Sequence, residues 1–383
     1  MRVDREYLTA TLARMVQIDS VNPFFRGGAG DERAIAAFVA GELARLGLRV
    51  ETYEPQAHRV SVVGTLPGRG SGRSLALYGH MDTVGVDGME EPFSAAQRDG
   101  RMYGRGTYDM KGGLAACLAA AKAVVDSGSS LAGDLMIWGV ADEEVASLGM
   151  LDLLTHLKPD AAVVTEATEL DICIAHKGFC WIEVETTGRA AHGSRFDEGI
   201  DANLHMGRFL ARLADLEQEL RRRPGHSLVG PPSLHAGVLR GGTAPSVYAA
   251  SCHLEVERRT IPGETEAGCV AELQALVDRL GREDSTFQAR VRPLLSREAF
   301  EVPADAPLVQ AVTAAATEVR GHRPAFLGQS FWMDAAILAA AGVETVVVGP
   351  AGAGAHADVE WVDLDSVHRL AAILARTAVS VCG

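Results

Sequence analysis

The 383-residue chain carries 36 Lys and Arg against 50 Asp and Glu, a net charge of −14, and 47% of its residues are hydrophobic. That balance excludes a nucleic-acid partner that needs a basic face, and the apolar content excludes a largely disordered chain. The length exceeds the roughly 250–300 residues at which one hydrophobic core stops growing, so two domains are expected.

The opening stretch MRVDREYLTATLARMVQIDS reads as an amphipathic helix, with Leu8, Leu12, Met15 and Val16 on one face. It has no apolar signal-like core, and no run approaches the roughly 18 apolar residues of a membrane span, so a cytoplasmic protein without a membrane partner is expected. A second helix is expected from Asp31 to Leu46, stopped at Gly47. LRVETY, RVSVVGTL and SLALYGH then read as strands. The Ala- and Leu-rich stretch from Lys111 to Val125 reads as a buried helix entered through Gly112 and Gly113. DLMIWGV and AAVVTE are continuous apolar runs, as in strands covered on both faces, with a helix from Ser147 to Leu157 between them. This alternation predicts an α/β fold: a mainly parallel mixed sheet flanked by helices.

Beyond His176 the texture changes. FCWIEVETTG, ASCHLEVERRT and STFQARVRPLL alternate as strands, with a further strand near Leu234 to Leu239. ANLHMGRFLARLADLEQELRR and ETEAGCVAELQALVDRLG are amphipathic helices. That succession predicts an inserted α+β sandwich, ferredoxin-like, over residues 177–295. Residues 1–176 and 296–383 then form the other domain, the latter with helices at Pro307 to Val319 and Met333 to Ala341 and the strand VETVVVG. The six cysteines are dispersed, without a CxxC pair, and are expected to be reduced, buried thiols.

Chemistry-bearing residues recur where apolar segments end. His80 and Asp82 close LALYGHMDTV, and Asp109 lies in GRGTYDMKGG. Glu143 and Glu144 follow in ADEEVAS, Glu166 in VVTEAT and His356 in GAHADVEW. One His and one Asp near a strand end is most often structural. Two His and several carboxylates at such half-buried positions are costly unless a cation pairs with them. Mixed imidazole and carboxylate ligands fit zinc, with cobalt or manganese as alternatives. A His followed by a carboxylate two residues on also fits a ligand with an outer carboxylate that orients its ring. DMKGG is no phosphate loop, because no GxxxxGK[ST] precedes a helix; its glycines are expected to let the backbone pass close to the metals. The absence of GxSxG removes a serine nucleophile of the α/β-hydrolase type.

Taken together, GHMDTV, GRGTYDMKGG, DEE, TEAT, AHGS, RRTIPGE and AHADVEW resemble, in order and spacing, the co-catalytic zinc hydrolases that include acetylornithine deacetylase, succinyl-diaminopimelate desuccinylase, aminoacylase and glutamate carboxypeptidase. The resemblance implies two Zn2+ per chain, with Co2+ or Mn2+ as substitutes. His80 and Glu166 would hold one ion, Glu144 and His356 the other, and Asp109 would bridge them. Asp82 would orient His80, and Glu143 would be the general base toward a metal-bridging water. In the inserted domain, a lid and dimerisation domain by the same resemblance, His192 of AHGS would donate to the tetrahedral oxyanion, often across a subunit boundary. Arg259 would pair with the substrate carboxylate.

Glu166, where peptide-trimming relatives tend to carry Asp, leans toward cleavage of an acyl or peptidyl group from an amino acid with a free carboxylate. The implied activity is amide hydrolysis of an N-acyl amino acid of the acetylornithine or succinyl-diaminopimelate type, by a homodimer joined through the inserted domain. The rival enzyme is a dipeptidase or glutamate-type carboxypeptidase with the same metals; a non-catalytic binding protein on the same fold is the rival from another class. Two features depart from the pattern or add to it. GGTAPSVYAAS has Ser246 where relatives often read Asn and Ala249 where they read Pro. GQSFWMDAAIL resembles a substrate-pocket segment, with Ser330, Phe331 and Asp334 as lining candidates, although Phe331 and Trp332 equally suit a core.

Overall fold

In the computed structural model every residue except Ala29 is described. Two compact units form: Met1–Ile174, Val302–Leu327 and Met333–Gly383 make the first, and Ala175–Glu301 with Gly328–Trp332 the second. The inserted unit therefore also claims a short segment that the sequence reading assigned to the other domain.

In chain order, helices α1 (Arg5–Gln17) and α2 (Arg33–Arg45) precede β1 (Arg49–Gln56), β2 (Arg59–Leu66) and β3 (Leu75–His80). Next come β4 (Ala96–Arg98), β5 (Arg101–Tyr103), α3 (Gly112–Asp126), β6 (Leu135–Val140), α4 (Leu148–His156), β7 (Ala161–Val164) and β8 (Ile172–His176). The second unit contributes β9 (Gly178–Thr187), α5 (Ala202–Arg222), β10 (Ser233–Gly241), β11 (Ser251–Thr260), α6 (Glu266–Glu283), β12 (Gln288–Arg297) and β13 (Phe300–Glu301). The chain ends with α7 (Pro307–Arg320), β14 (Phe326–Gln329), α8 (Ala335–Ala340), β15 (Glu344–Val347), β16 (Gly352–Ala353), β17 (Trp361–Asp363) and α9 (Leu364–Cys382).

The sheet of the first unit runs β1-β2-β6-β3-β7-β15-β8. Its centre, β6-β3-β7-β15, is parallel, and antiparallel pairs lie on both sides of it. Every residue of β3, β6 and β7 is buried. That explains their unbroken apolar runs: a parallel strand covered on both faces has no polar side to present. α3 packs on β3, and α9 packs on α3. The approach of α3 is tight, because a Cβ on Gly113 would lie 2.3 Å from the Thr165 carbonyl oxygen at the end of β7. Gly113 of DMKGG thus permits close helix–strand contact, and a Cβ on Gly112 would lie 2.6 Å from the Thr107 carbonyl oxygen. Lys111 beside them is wholly buried, and its Nζ donates to the Met15 and Ile18 carbonyls at 3.1 Å, closing the end of α1. A small antiparallel sheet, β16-β17-β5-β4, joins the last strands to the loop after β3.

The second unit has the strand order β10-β11-β9-β12, antiparallel throughout, with α5 and α6 as crossovers. This is the split βαβ arrangement. β9 and β11 bury alternate residues, as a sheet with one covered face must. α5 meets them with Met206, Phe209, Leu213, Leu216 and Leu220 at helical spacing. Its first turn is capped by Asp201, whose carboxylate accepts from the Asn203 amide at 2.9 Å. All six cysteines are free and buried. Among the described residues no helix is long and apolar enough to cross a membrane.

Candidate metal centre

In open α/β sheets the carboxyl ends of parallel strands leave side chains unpaired and facing a crevice. His80 is the last residue of β3, Glu143 and Glu144 follow β6, Glu166 follows β7, and His356 lies beyond β15. Asp109 comes from the turn leading into α3, and its peptide bond to Met110 is cis. All seven residues named for the metal site and its immediate support lie in the first unit.

Their side chains converge. Asp109 sits between two imidazoles: Oδ1 is 3.2 Å from His80 Nε2, and Oδ2 is 3.2 Å from His356 Nε2. Glu166 Oε1 lies 3.5 Å and Glu143 Oε2 3.9 Å from the same His80 nitrogen. Glu144 Oε2 is 3.1 Å from His356 Nε2. Two sets of three ligand atoms, from His80, Asp109 and Glu144 and from His80, Glu143 and Glu166, each lie within 4.8 Å of one another. His356 is the most open member, with 55% of its side chain accessible and a positive φ of 60°.

Asp82 is wholly buried and does not face the cluster as a ligand. Its carboxylate accepts from Asn22 Nδ2 at 2.8 Å and from the backbone amides of Glu143 and Glu144 at 3.1 and 3.2 Å. His80 Nδ1 is 3.0 Å from the Asp82 carbonyl oxygen and 3.6 Å from Oδ1. This directs Nε2 toward Asp109. Behind Asp82, Asn22 also donates to Asp142 at 2.9 Å and accepts from Arg59 at 3.0 Å. Arg59 in turn lies 3.2 Å from Glu32 and 3.0 Å from Asp142. Glu32, Asp82 and Asp142 are themselves close enough to hold an ion, but the Arg59 guanidinium already supplies the cation there.

The protonation of the cluster reflects crowded carboxylates. Burial raises Glu143 well above the usual carboxylate range. Burial and the charge of Asp109 raise Glu144 to about 7 and raise Glu166 as well. His356 is lifted to about 10 by its hydrogen bonds to Asp109 and Glu144. Burial opposes the imidazolium at His80, but hydrogen bonds to Asp109 and Glu166 prevail and raise it. Burial likewise opposes ionisation of Asp109, yet the two imidazoles hold it well below the ordinary range. Glu144 Oε1 is buried with no hydrogen-bond partner. An orphaned carboxylate oxygen beside two imidazoles fits a divalent cation, and the nitrogen–oxygen donor set fits zinc.

The remaining candidates, Asp334 excepted, lie in the second unit. His192 is exposed, with Nδ1 2.8 Å from Ser194 Oγ, and it bridges to Val247 beside Ser246. Ser246 is exposed, and its carbonyl accepts from Gly193 N at 2.7 Å. Arg259 pairs with Glu257 at 2.8 Å and lies over the Phe179 ring. The structure does not bring Arg259 to His192. The loop of His192 extends the ladder beyond the Ser251 end of β11, whereas Arg259 is eight residues along that strand, roughly 27 Å at 3.4 Å per residue. Ser330 and Phe331 are exposed, while Trp332 stands edge-on to His176 and Phe179 within the unit's own packing. Asp334 lines no opening: it is buried in the first unit and accepts from Tyr78 Oη at 2.8 Å.

A buried cluster of imidazoles and carboxylates at the carboxyl end of a mixed α/β sheet is the architecture of a metal-dependent hydrolase. The sequence model of peptidase family M20/M25/M40 matches residues 76–380, and the chain belongs to that family. Over 387 residues it is 32% identical to the acetylornithine deacetylase of Myxococcus xanthus, covering 98% of each chain. Its fold is shared with a tripeptidase from Staphylococcus aureus, at a TM-score of 0.81, 20% identity and 100% coverage of both chains. It is shared too with a dinuclear metal-binding peptidase from Bacillus subtilis, at a TM-score of 0.76 and 14% identity, covering 99% of this chain and 98% of that one.

Proposed function

We propose that the protein is a dinuclear zinc amidohydrolase that releases an amino acid from an N-acyl amino acid of the acetylornithine or succinyl-diaminopimelate type. The observation that carries this reading is the Asp109 carboxylate, with one oxygen toward each of two imidazoles and Glu143 alongside. The identity to a deacetylase along the whole chain supports the acyl-amino-acid class. His80 and Glu166 would hold one ion, Glu144 and His356 the other, and Asp109 both. Bound there, two divalent cations acidify a water and polarise a carbonyl.

The chain's own residues do the rest. Asp82 keeps His80 Nδ1 occupied, so that Nε2 stays turned to the cluster. Glu143 stands beside the cluster, with Oε2 3.9 Å from His80 Nε2. It takes a proton from the attacking water as the carbon–oxygen bond forms, and delivers it to the nitrogen as the carbon–nitrogen bond breaks. Arg259 offers a planar guanidinium for the substrate carboxylate, and His192 a donor for the developing oxyanion. Because the two stand at opposite ends of β11, one small substrate reaches both only if His192 comes from a second copy. The functional form is accordingly a homodimer.

The test is release of amine from N-acetyl and N-succinyl amino acids beside a panel of dipeptides. Cleavage of the acyl amino acids is expected; cleavage of dipeptides alone would transfer the protein to the dipeptidase class.

A further inference from the structure

Two charged residues deep in the first unit have no part in the chemistry above. Arg105 and Glu360 are 3% and 1% exposed, and their side chains pair at 2.7 Å. Burying an ion pair is costly, and such a pair is by itself poor evidence for stability. What distinguishes this one is where its remaining hydrogen bonds go. Glu360 Oε2 accepts from the Gly106 amide at 2.9 Å, and Oε1 accepts from the amides of Tyr108 and Asp109 at 2.8 and 3.1 Å. Arg105 Nε donates to the Gly85 carbonyl at 3.0 Å, in the loop that follows His80, and its NH2 group donates to the Ala357 carbonyl at 3.1 Å, one residue beyond His356.

Three loops are thereby tied at one point: one carries Asp109, one carries His356, and the third follows directly on His80. Asp109 is held through its own backbone N–H. His356 needs such a tie more than the others, because its side chain is more than half accessible and its backbone is left-handed. The hydrogen bonds of Arg105 and Glu360 to the loops of Asp109 and His356 go to backbone amides and carbonyls, not to the ligand side chains. Both act through the backbone.

We infer that Arg105 and Glu360 are positioning residues that set Asp109 and His356 at their mutual distance before an ion arrives. The inference rests on the dinuclear reading in taking those two residues as ligands. A carboxylate that receives three backbone amides and a guanidinium cannot be replaced by an amide without turning an N–H group toward an N–H group. Glu360→Gln therefore keeps the volume and loses the anchor. Arg105→Lys keeps the charge and loses the planar fork that spans Gly85, Ala357 and Glu360.

The experiment titrates the metal-free full-length protein with Co2+, following stoichiometry, affinity by chelator competition and the visible ligand-field spectrum, alongside thermal melts without metal. Wild type is expected to take up two ions per chain. Glu360→Gln and Arg105→Lys are expected to remain folded without metal, to bind Co2+ about 10–100-fold more weakly, as when outer partners of ligands are removed, and to show an altered spectrum. A merely structural pair would shift the melt and leave the spectrum of the bound ion unchanged. Wild type with two ions and variants with wild-type affinity and spectrum would overturn this inference and leave the dinuclear reading standing. Wild type that takes up fewer than two ions would overturn both. Failure of both variants to fold without metal would assign the pair to the fold and overturn the inference alone.

Discussion

Asp82→Ala separates support of the metal site from ligation. Asp82 is wholly buried and accepts three hydrogen bonds: from Asn22 at 2.8 Å and from the Glu143 and Glu144 amides at 3.1 and 3.2 Å. Truncation leaves the two backbone amides without an acceptor, while Asn22 keeps Asp142, and each buried unsatisfied donor costs about 1–3 kcal/mol. The two backbone amides alone predict a loss of about 2–6 kcal/mol in the metal-free protein. The ring of His80 keeps the Asp82 carbonyl at 3.0 Å but loses the carboxylate 3.6 Å from Nδ1, and loss of such an outer group typically weakens metal binding about 10–100-fold, or about 1.4–2.8 kcal/mol. Asp82→Asn, which retains one oxygen acceptor, should fall between the variant and wild type. Urea unfolding of the metal-free protein reads the first quantity, and zinc competition with a chromophoric chelator reads the second. If Asp82→Ala kept the wild-type urea midpoint and bound zinc within threefold of wild type, Asp82 would neither hold the Glu143–Glu144 turn nor orient His80.

Glu143→Ala should retain two ions by metal analysis yet lose about 10²–10⁴-fold in turnover, the usual contribution of a positioned general base; full activity would remove Glu143 from the mechanism. Asp109→Ala should weaken uptake of both ions in the same titration, because one carboxylate faces both imidazoles; loss of a single ion would assign Asp109 to one site. Asp4 caps α1 by accepting from the Tyr7 amide at 3.0 Å, so Asp4→Ala should cost about 1 kcal/mol at neutral pH in chemical unfolding. The Tyr7 amide holds the Asp4 carboxyl below its ordinary 3.8. That stability is present above pH 3.8 and is lost as pH falls through the lower folded value, so wild type and variant should converge in acid; a pH-independent difference would contradict the cap.

The fold and the convergence of the candidate site residues were legible for the same reason. Strands buried on both faces are unbroken apolar runs, so LALYGH and LMIWGV mark both the sheet core and the place where polar side chains begin. The polar residue after such a run has to be paired, which is why His80, Glu143, Glu144 and Glu166 stand out. The alternating burial of β9 and β11 was equally readable as a sheet with one covered face.

The supporting layer was not legible. Asn22 precedes a proline and belongs to no motif, yet it is buried and joins Asp82 to Asp142. Arg59 and Glu32, which belong to no motif, are buried partners. Glu360 stood inside a motif quoted for its histidine, but its partners are amides some 250 residues earlier in the chain, and no local pattern encodes contacts so distant. Asp334 illustrates the converse. Its neighbours in GQSFW read as pocket lining, whereas the residue turns inward to Tyr78.

The central claim is tested most directly by removing the metals and restoring them while following amine release from an N-acyl amino acid. The chelated protein is expected to be inactive, activity to return with zinc, and its full value to be reached as the second equivalent per chain binds. Hydrolysis that persists after complete metal removal, or that is complete with a single equivalent, would contradict a centre in which Asp109 serves two ions.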